Sequence, residues 1–144
     1  MALLIRKWKE EDVPALVLQT FQWGYETTAE RITEHLQRIE GLDNAEVFVA
    51  ELDGKAVGRI FVVEHLTLGS DPFAEVHGVV VDENYRRKGI GKALIKRAME
   101  WSRDKGFKVL RLRTNAGRPD ANIFYPAIGF GLDKVQNVYS IKVL

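Results

Sequence analysis

Residues 79–98 read VVVDENYRRKGIGKALIKRA. A β-branched run stops at Asp82-Glu83-Asn84, a basic cluster follows, and Gly89 and Gly91 precede apolar residues at helical spacing. The chain must therefore pass from strand to helix through a glycine turn. A helix entered this way presents unpaired backbone N–H groups and the positive end of its dipole. With no β-carbon at positions 89 and 91, an anion can approach those amides, and Arg86, Arg87, Lys88 and Lys92 add full positive charge. The stretch reads as a polyphosphate cradle. The competing reading is a plain tight turn with surface bases, which would account for one glycine better than for two beside four cations.

Two familiar phosphate loops do not fit. A Walker loop needs glycine at the place of Arg86 and Ser or Thr at the place of Ala93. The dinucleotide fingerprint wants a small residue where Leu94 stands, inside a parallel βαβ unit near the start of a domain.

Around this junction the sequence predicts a strand over Leu3–Trp8 and a helix beginning near Glu10–Pro14, with acids in its first turn. Leu16, Val17 and Phe21 continue that helix on one face, beside Thr20. A second helix is expected over Thr28–Glu40, with Ile32, Leu36 and Ile39 inward and Gly41 as its stop. Asp53-Gly54 between Glu46–Leu52 and Lys55–Glu64 signals a hairpin. A loop over Leu68–Pro72 leads to a strand at Phe73–Val81. Ile90, Leu94, Ala98 and Trp101 line one face of a helix over Ile90–Lys105. A strand over Phe107–Thr114, a short helix over Pro119–Ile128 and a closing strand over Val135–Val143 complete the chain. This order implies an α/β (α+β) domain around a mixed, mostly antiparallel sheet.

The 144 residues suffice for one domain, 1–144, with a sizeable core. No apolar run approaches the roughly 20 residues of a membrane span, and the amino terminus has no cleavage-like site, so neither a membrane nor a signal peptide is expected. Cysteine is absent, which excludes disulfides and thiolate chemistry and fits a reducing, cytoplasmic setting. The net charge of +1 hides an asymmetry. Residues 26–54 carry eight acids against two bases, while residues 86–113 carry eleven bases against two acids. Nucleic-acid binding by the basic strip is disfavoured, because no aromatics interleave with Arg86–Arg97 and the overall charge is balanced. Three scattered histidines give no metal motif. His35, on a helix, and His65, before a loop, are both read as surface.

Arg86-x-x-Gly89-x-Gly91 resembles the Gln/Arg-x-x-Gly-x-Gly/Ala signature of the GNAT superfamily of N-acetyltransferases. ANIFYPAIGF, residues 121–130, is similar to that family's Ala-x-x-Phe-Tyr-x-x-x-Gly-Phe segment, matching at Ala121, Phe124, Tyr125, Gly129 and Phe130. Arg118 departs from it, standing where many relatives carry Asn. The resemblance implies a single-domain GNAT-like fold with six to seven strands, about four helices and splayed central strands. It implies that residues 86–92, Ile90 included, hold the pyrophosphate of acetyl-CoA as co-substrate, that Val79, Val80 and Val81 meet its pantetheine arm, and that Asn122 and Tyr125 also touch it. No metal is implied. An amine acceptor is, and a homodimer is common among relatives.

The reaction implied is attack of an amine on a thioester. An alkylammonium has a pKa of about 10.4, so a base must take its proton. The oxyanion needs donors, for which backbone N–H groups around Val79–Val81 are available. The departing thiolate benefits from an acid, and Tyr125 matches the family's tyrosine; its structural alternative is a core tyrosine. Glu75 and His77 are candidate bases two apart on one strand, hence on one face. An imidazole titrates in a suitable range, whereas Glu75 would need upward tuning by burial or a relaying water. Relatives frame the acceptor with the first two helices, where Trp23, Tyr25 and Glu26 could meet a cationic amine. The alternatives are a non-catalytic acyl-CoA sensor or a transferase of a different acyl group.

Overall fold

Asp12 shows how the sequence fixes the first helix. Its carboxylate accepts two hydrogen bonds from the Arg6 guanidinium, both 2.8 Å, and one from the Lys9 backbone N–H at 2.7 Å. Arg6 also donates to Glu51 at 3.0 Å. Asp12 is only 3% exposed. Burial by itself would raise its carboxyl pKa, but the Arg6 and Lys9 donors outweigh it and hold the group below its ordinary value. Strand β1 (Leu3–Lys7) is thereby tied to strand β2 (Ala45–Leu52) and to the start of helix α1 (Val13–Gln22). Because the folded carboxyl titrates below its unfolded counterpart, its stabilisation is present above about pH 4 and is lost as pH falls through the folded value. Asp12→Asn is expected to cost about 3 kcal/mol at pH 7, the low end for breaking a buried pair. Urea denaturation at pH 7 and pH 3 checks it: the gap between variant and parent should narrow at the lower pH.

The computed structural model describes residues 2–144. The chain divides into two compact units, Met1–Leu112 and Arg113–Leu144. In the first, α1 is followed by helix α2 (Ala29–Glu40), then β2, strand β3 (Lys55–His65), strand β4 (Phe73–Val81), helix α3 (Ile90–Asp104) and strand β5 (Leu110–Leu112). Thr28 caps α2, its hydroxyl accepting from the Arg31 amide at 3.1 Å. The sheet runs β1-β2-β3-β4-β5, antiparallel through β4 and parallel between β4 and β5.

One face of the sheet packs on α1 and α2 through Val13, Leu16, Leu36, Val47 and Val49. The other carries α3, whose Ile90, Leu94, Ile95, Ala98 and Trp101 are buried. Gly58 admits α3 closely: a β-carbon there would stand 3.3 Å from Ile90 and from Leu94. Phe21, expected inward, is instead 51% exposed. Gln19, fully buried, takes an inward place and donates to the Ala56 carbonyl at 3.3 Å.

The second unit contains helix α4 (Pro119–Ala127). Beyond it the expected strand over Val135–Val143 is absent. Its apolar residues stay exposed, Val138 at 84% and Ile141 at 86%. β-prone composition supplies no ladder partner by itself. The strand expected over Phe107–Thr114 shortens to three residues. Five strands stand where six to seven were expected, among the described residues.

Candidate functional site

The junction between β4 and α3 is a loop of alternating handedness. Asp82 accepts from the Asn84 amide at 2.9 Å and opens a single 3-10 turn over Glu83–Tyr85. Arg87 (φ 62°) and Gly89 (φ 77°) are left-handed. Such alternation turns successive amides towards one concavity. The first intrahelical bond runs from the Ala93 N–H to the Gly89 carbonyl at 3.1 Å, so the amides of Ile90, Gly91 and Lys92 precede the ladder. Nothing lies within 4 Å of a β-carbon built on Gly89. Arg86, Arg87, Lys88 and Lys92 are exposed. The group of residues predicted as a phosphate cradle is thus together, open and cationic, and it fits a diphosphate.

Strand β4 leads into it with a bulge. Val62 pairs with Val76 and Ile60 with Val79, so His77 and Gly78 together oppose Phe61. The Asp82 amide donates to Val57 across the β3 ladder at 2.8 Å. By alternation Val80 also faces β3, and Val79 and Val81 turn their backbone groups to the opposite edge. On that edge the parallel ladder ends at Val76 and Leu112, while β4 continues to Val81. The bulge falls just past the point where the β5 ladder ends. Within this unit, Val79 and Val81 thus have no ladder partner on that edge.

Glu75 and His77 do share a face. His77 Nε2 lies 2.9 Å from Glu75 Oε1, and Arg111 Nε donates to Glu75 Oε2 at 2.8 Å. Glu75 is 4% exposed, whereas the His77 side chain is 47% exposed. Arg111 lies over the Phe73 ring at 4.3 Å. His65, read as surface, instead stacks on Phe73 at 4.7 Å and brings Nδ1 within 3.9 Å of Glu75. Sequence reasoning missed both Arg111 and His65. The β3 register that sets His65 opposite Phe73 extends past the predicted end of the strand, and the Glu75–Arg111 pairing spans a crossover.

Beside His77 the sheet and α2 line a half-open pocket of about 160 Å³, with Trp23, Ile32, Leu36, Phe61 and Gly78 among its walls. Gly78 has φ 148°, and a β-carbon on it would meet the Trp23 ring at 3.3 Å. Glycine is what lets that ring lie against the bulge. Tyr25 meets Trp23 edge-on at 5.2 Å but is 58% exposed, and Glu26 is exposed.

In the second unit, Tyr125 sits between Phe124 and Phe130, with ring centroids at 5.1 and 5.8 Å. Burial pushes its phenol above the ordinary value, so it is protonated at neutral pH. Asn122 donates to the Arg118 carbonyl at 2.8 Å and to the Ala116 carbonyl at 3.2 Å, which ties down the loop that starts α4. No cluster of three or more metal-ligating side chains occurs among the described residues. Nor does any helix long and apolar enough to cross a membrane.

The Acetyltransferase (GNAT) family matches over residues 7–130. An uncharacterized N-acetyltransferase of Methanocaldococcus jannaschii is 36% identical over 58% of this chain, which spans 38% of that relative's length. Among solved structures, an aminoglycoside acetyltransferase from an uncultured soil metagenomic sample superposes with TM-score 0.79 at 28% identity, covering 97% of each chain. AAC(6')-Iy, in complex with the bisubstrate analogue CoA-S-monomethyl-acetylneamine, superposes with TM-score 0.84 at 20% identity, covering 99% of each chain. The glycine junction and the family match agree, and the chain belongs to the GNAT family of acetyltransferases.

Proposed function

We propose that this chain transfers an acetyl group from acetyl-CoA to a primary amine. The observation that carries the reading is the continuity of two backbone features: the open edge of β4 at Val79 and Val81 runs into the exposed amides of residues 87–92. An extended amide-bearing arm can pair with the first while its diphosphate meets the second and the four cations around it.

His77 is the base. With its Nε2–H donating to Glu75, Nδ1 is left as the proton-accepting nitrogen, and the carboxylate fixes the ring and stabilises the imidazolium that forms. Arg111 holds the second oxygen of Glu75 and acts as a positioning residue. Tyr125, kept neutral by burial, is the acid that returns a proton to the leaving thiolate. The chain of Arg111, Glu75 and His77 favours catalysis over a purely sensing role, in which nothing would need to orient an exposed imidazole. Aminoglycosides, the substrates named for one similar structure, are one acceptor class this reading admits.

The test is calorimetry with CoA and acetyl-CoA on the folded protein, followed by thiol release with a panel of amines. Saturable binding of both and amine-dependent release are expected. Absence of binding would overturn the reading. Binding without release above background would leave a sensor. Faster release with propionyl- or succinyl-CoA would reassign the acyl group.

A further inference from the structure

The cavity beside His77 has a composition that bears on which amine is taken. Its walls are mainly Trp23, Ile32, Leu36, Ile39 and Phe61, and its polar members are His35, His77 and Arg59. No carboxylate lines it. Arg59 donates to the Leu16 carbonyl at 2.6 Å, and burial pushes its pKa down to about 10, which leaves it charged at neutral pH. The cavity therefore already holds one cation in a poorly hydrated place. A second would meet like charge there, where repulsion is far stronger than in water, and the Glu75 carboxylate beside His77 is already held by Arg111.

The size of the pocket points the same way. An apolar cavity of about 150 Å³ accommodates a benzene molecule, and this half-open, mainly apolar pocket measures about 160 Å³. His77 forms part of its wall, so a group seated inside and joined by a short linker would bring a nitrogen to the base. We propose that the cavity under α2 takes the body of the acceptor, and that this body is a single uncharged, ring-sized apolar group rather than a polycationic sugar. The inference rests on the transferase reading above and narrows its substrate class to amines of the arylalkyl type.

The experiment compares 2-phenylethylamine, ethylamine and neamine in the thiol-release assay at saturating acetyl-CoA. The kcat/KM for 2-phenylethylamine should exceed each of the other two by at least roughly tenfold, since even one methylene in a matched pocket gives discrimination of about that order. Ile32→Trp, which fills the cavity from the α2 side, should bring the phenylethylamine-to-ethylamine ratio to within about threefold of unity. Arg59→Gln, which removes the cation, should raise the neamine-to-phenylethylamine ratio at least roughly fivefold. Thermal melts establish that each variant is folded, and either variant alone suffices if the other is not.

Equal efficiencies for the three amines, or a preference for neamine, would overturn the inference while leaving the transferase reading in place. So would ratios unmoved in the folded variants. Acetyl-CoA binding without turnover of any amine would sink the transferase reading, and this inference with it.

Discussion

Replacing Gly91 by valine is expected to raise the KM for acetyl-CoA by at least roughly tenfold, equivalent to ~1.4 kcal/mol of lost binding, and to leave the fold intact. Gly91 is the second residue of α3, and its amide precedes the first intrahelical bond. A β-branched side chain there would add bulk beside the leading amides that the proposed function assigns to the diphosphate. The helix itself does not suffer, because valine is a somewhat better helix former than glycine. The effect should therefore fall on KM and on CoA affinity, with little change in melting temperature or in the rate of the bound complex. Calorimetry with CoA and steady-state kinetics check it. Unaltered cofactor affinity in a folded Gly91→Val protein would contradict the cradle.

Tyr125→Phe is expected to lower kcat by about 10²–10³, within the span general acid catalysis supplies, with the affinity for acetyl-CoA retained. The substitution removes one oxygen and keeps the ring between Phe124 and Phe130, so packing is preserved. Burial raises the phenol above its ordinary value. The neutral, proton-donating form thus persists across the physiological range, and activity that depends on it should fall only on the alkaline side, above about pH 10. The variant should lose that alkaline limb along with its rate. Full activity in Tyr125→Phe would demote the residue to packing.

Much of the fold was legible because the signals were local. Asp53-Gly54 marked the β2–β3 turn, Thr28 marked the start of α2, and the spacing of Ile90, Leu94, Ala98 and Trp101 marked the buried face of α3. What escaped depended on pairing across distance. The bulge at His77 and Gly78 arises from a count of residues on two strands, and a glycine in a β-rich run is at most a hint of it. Arg111 reaches Glu75 only because β5 lies parallel to β4 across a crossover, and no local pattern announces that register. Phe21 looked inward by periodicity, yet the face that packs on the sheet is the one shared at three- and four-residue steps by Val13, Leu16, Gln19 and Thr20, and Phe21 stands off it. The segment over Val135–Val143 misled for the opposite reason: its composition is that of a strand, but a strand exists only where an edge receives it.

The contact of Gly58 with Ile90 and Leu94 has a thermodynamic corollary. The first turn of α3 rests directly on the sheet, so the direction in which its leading amides point is set when the protein folds and not when a ligand arrives. Under the proposed function, little conformational entropy would then remain to be surrendered at the moment of encounter, and more of the attraction between a diphosphate and those amides would survive as affinity.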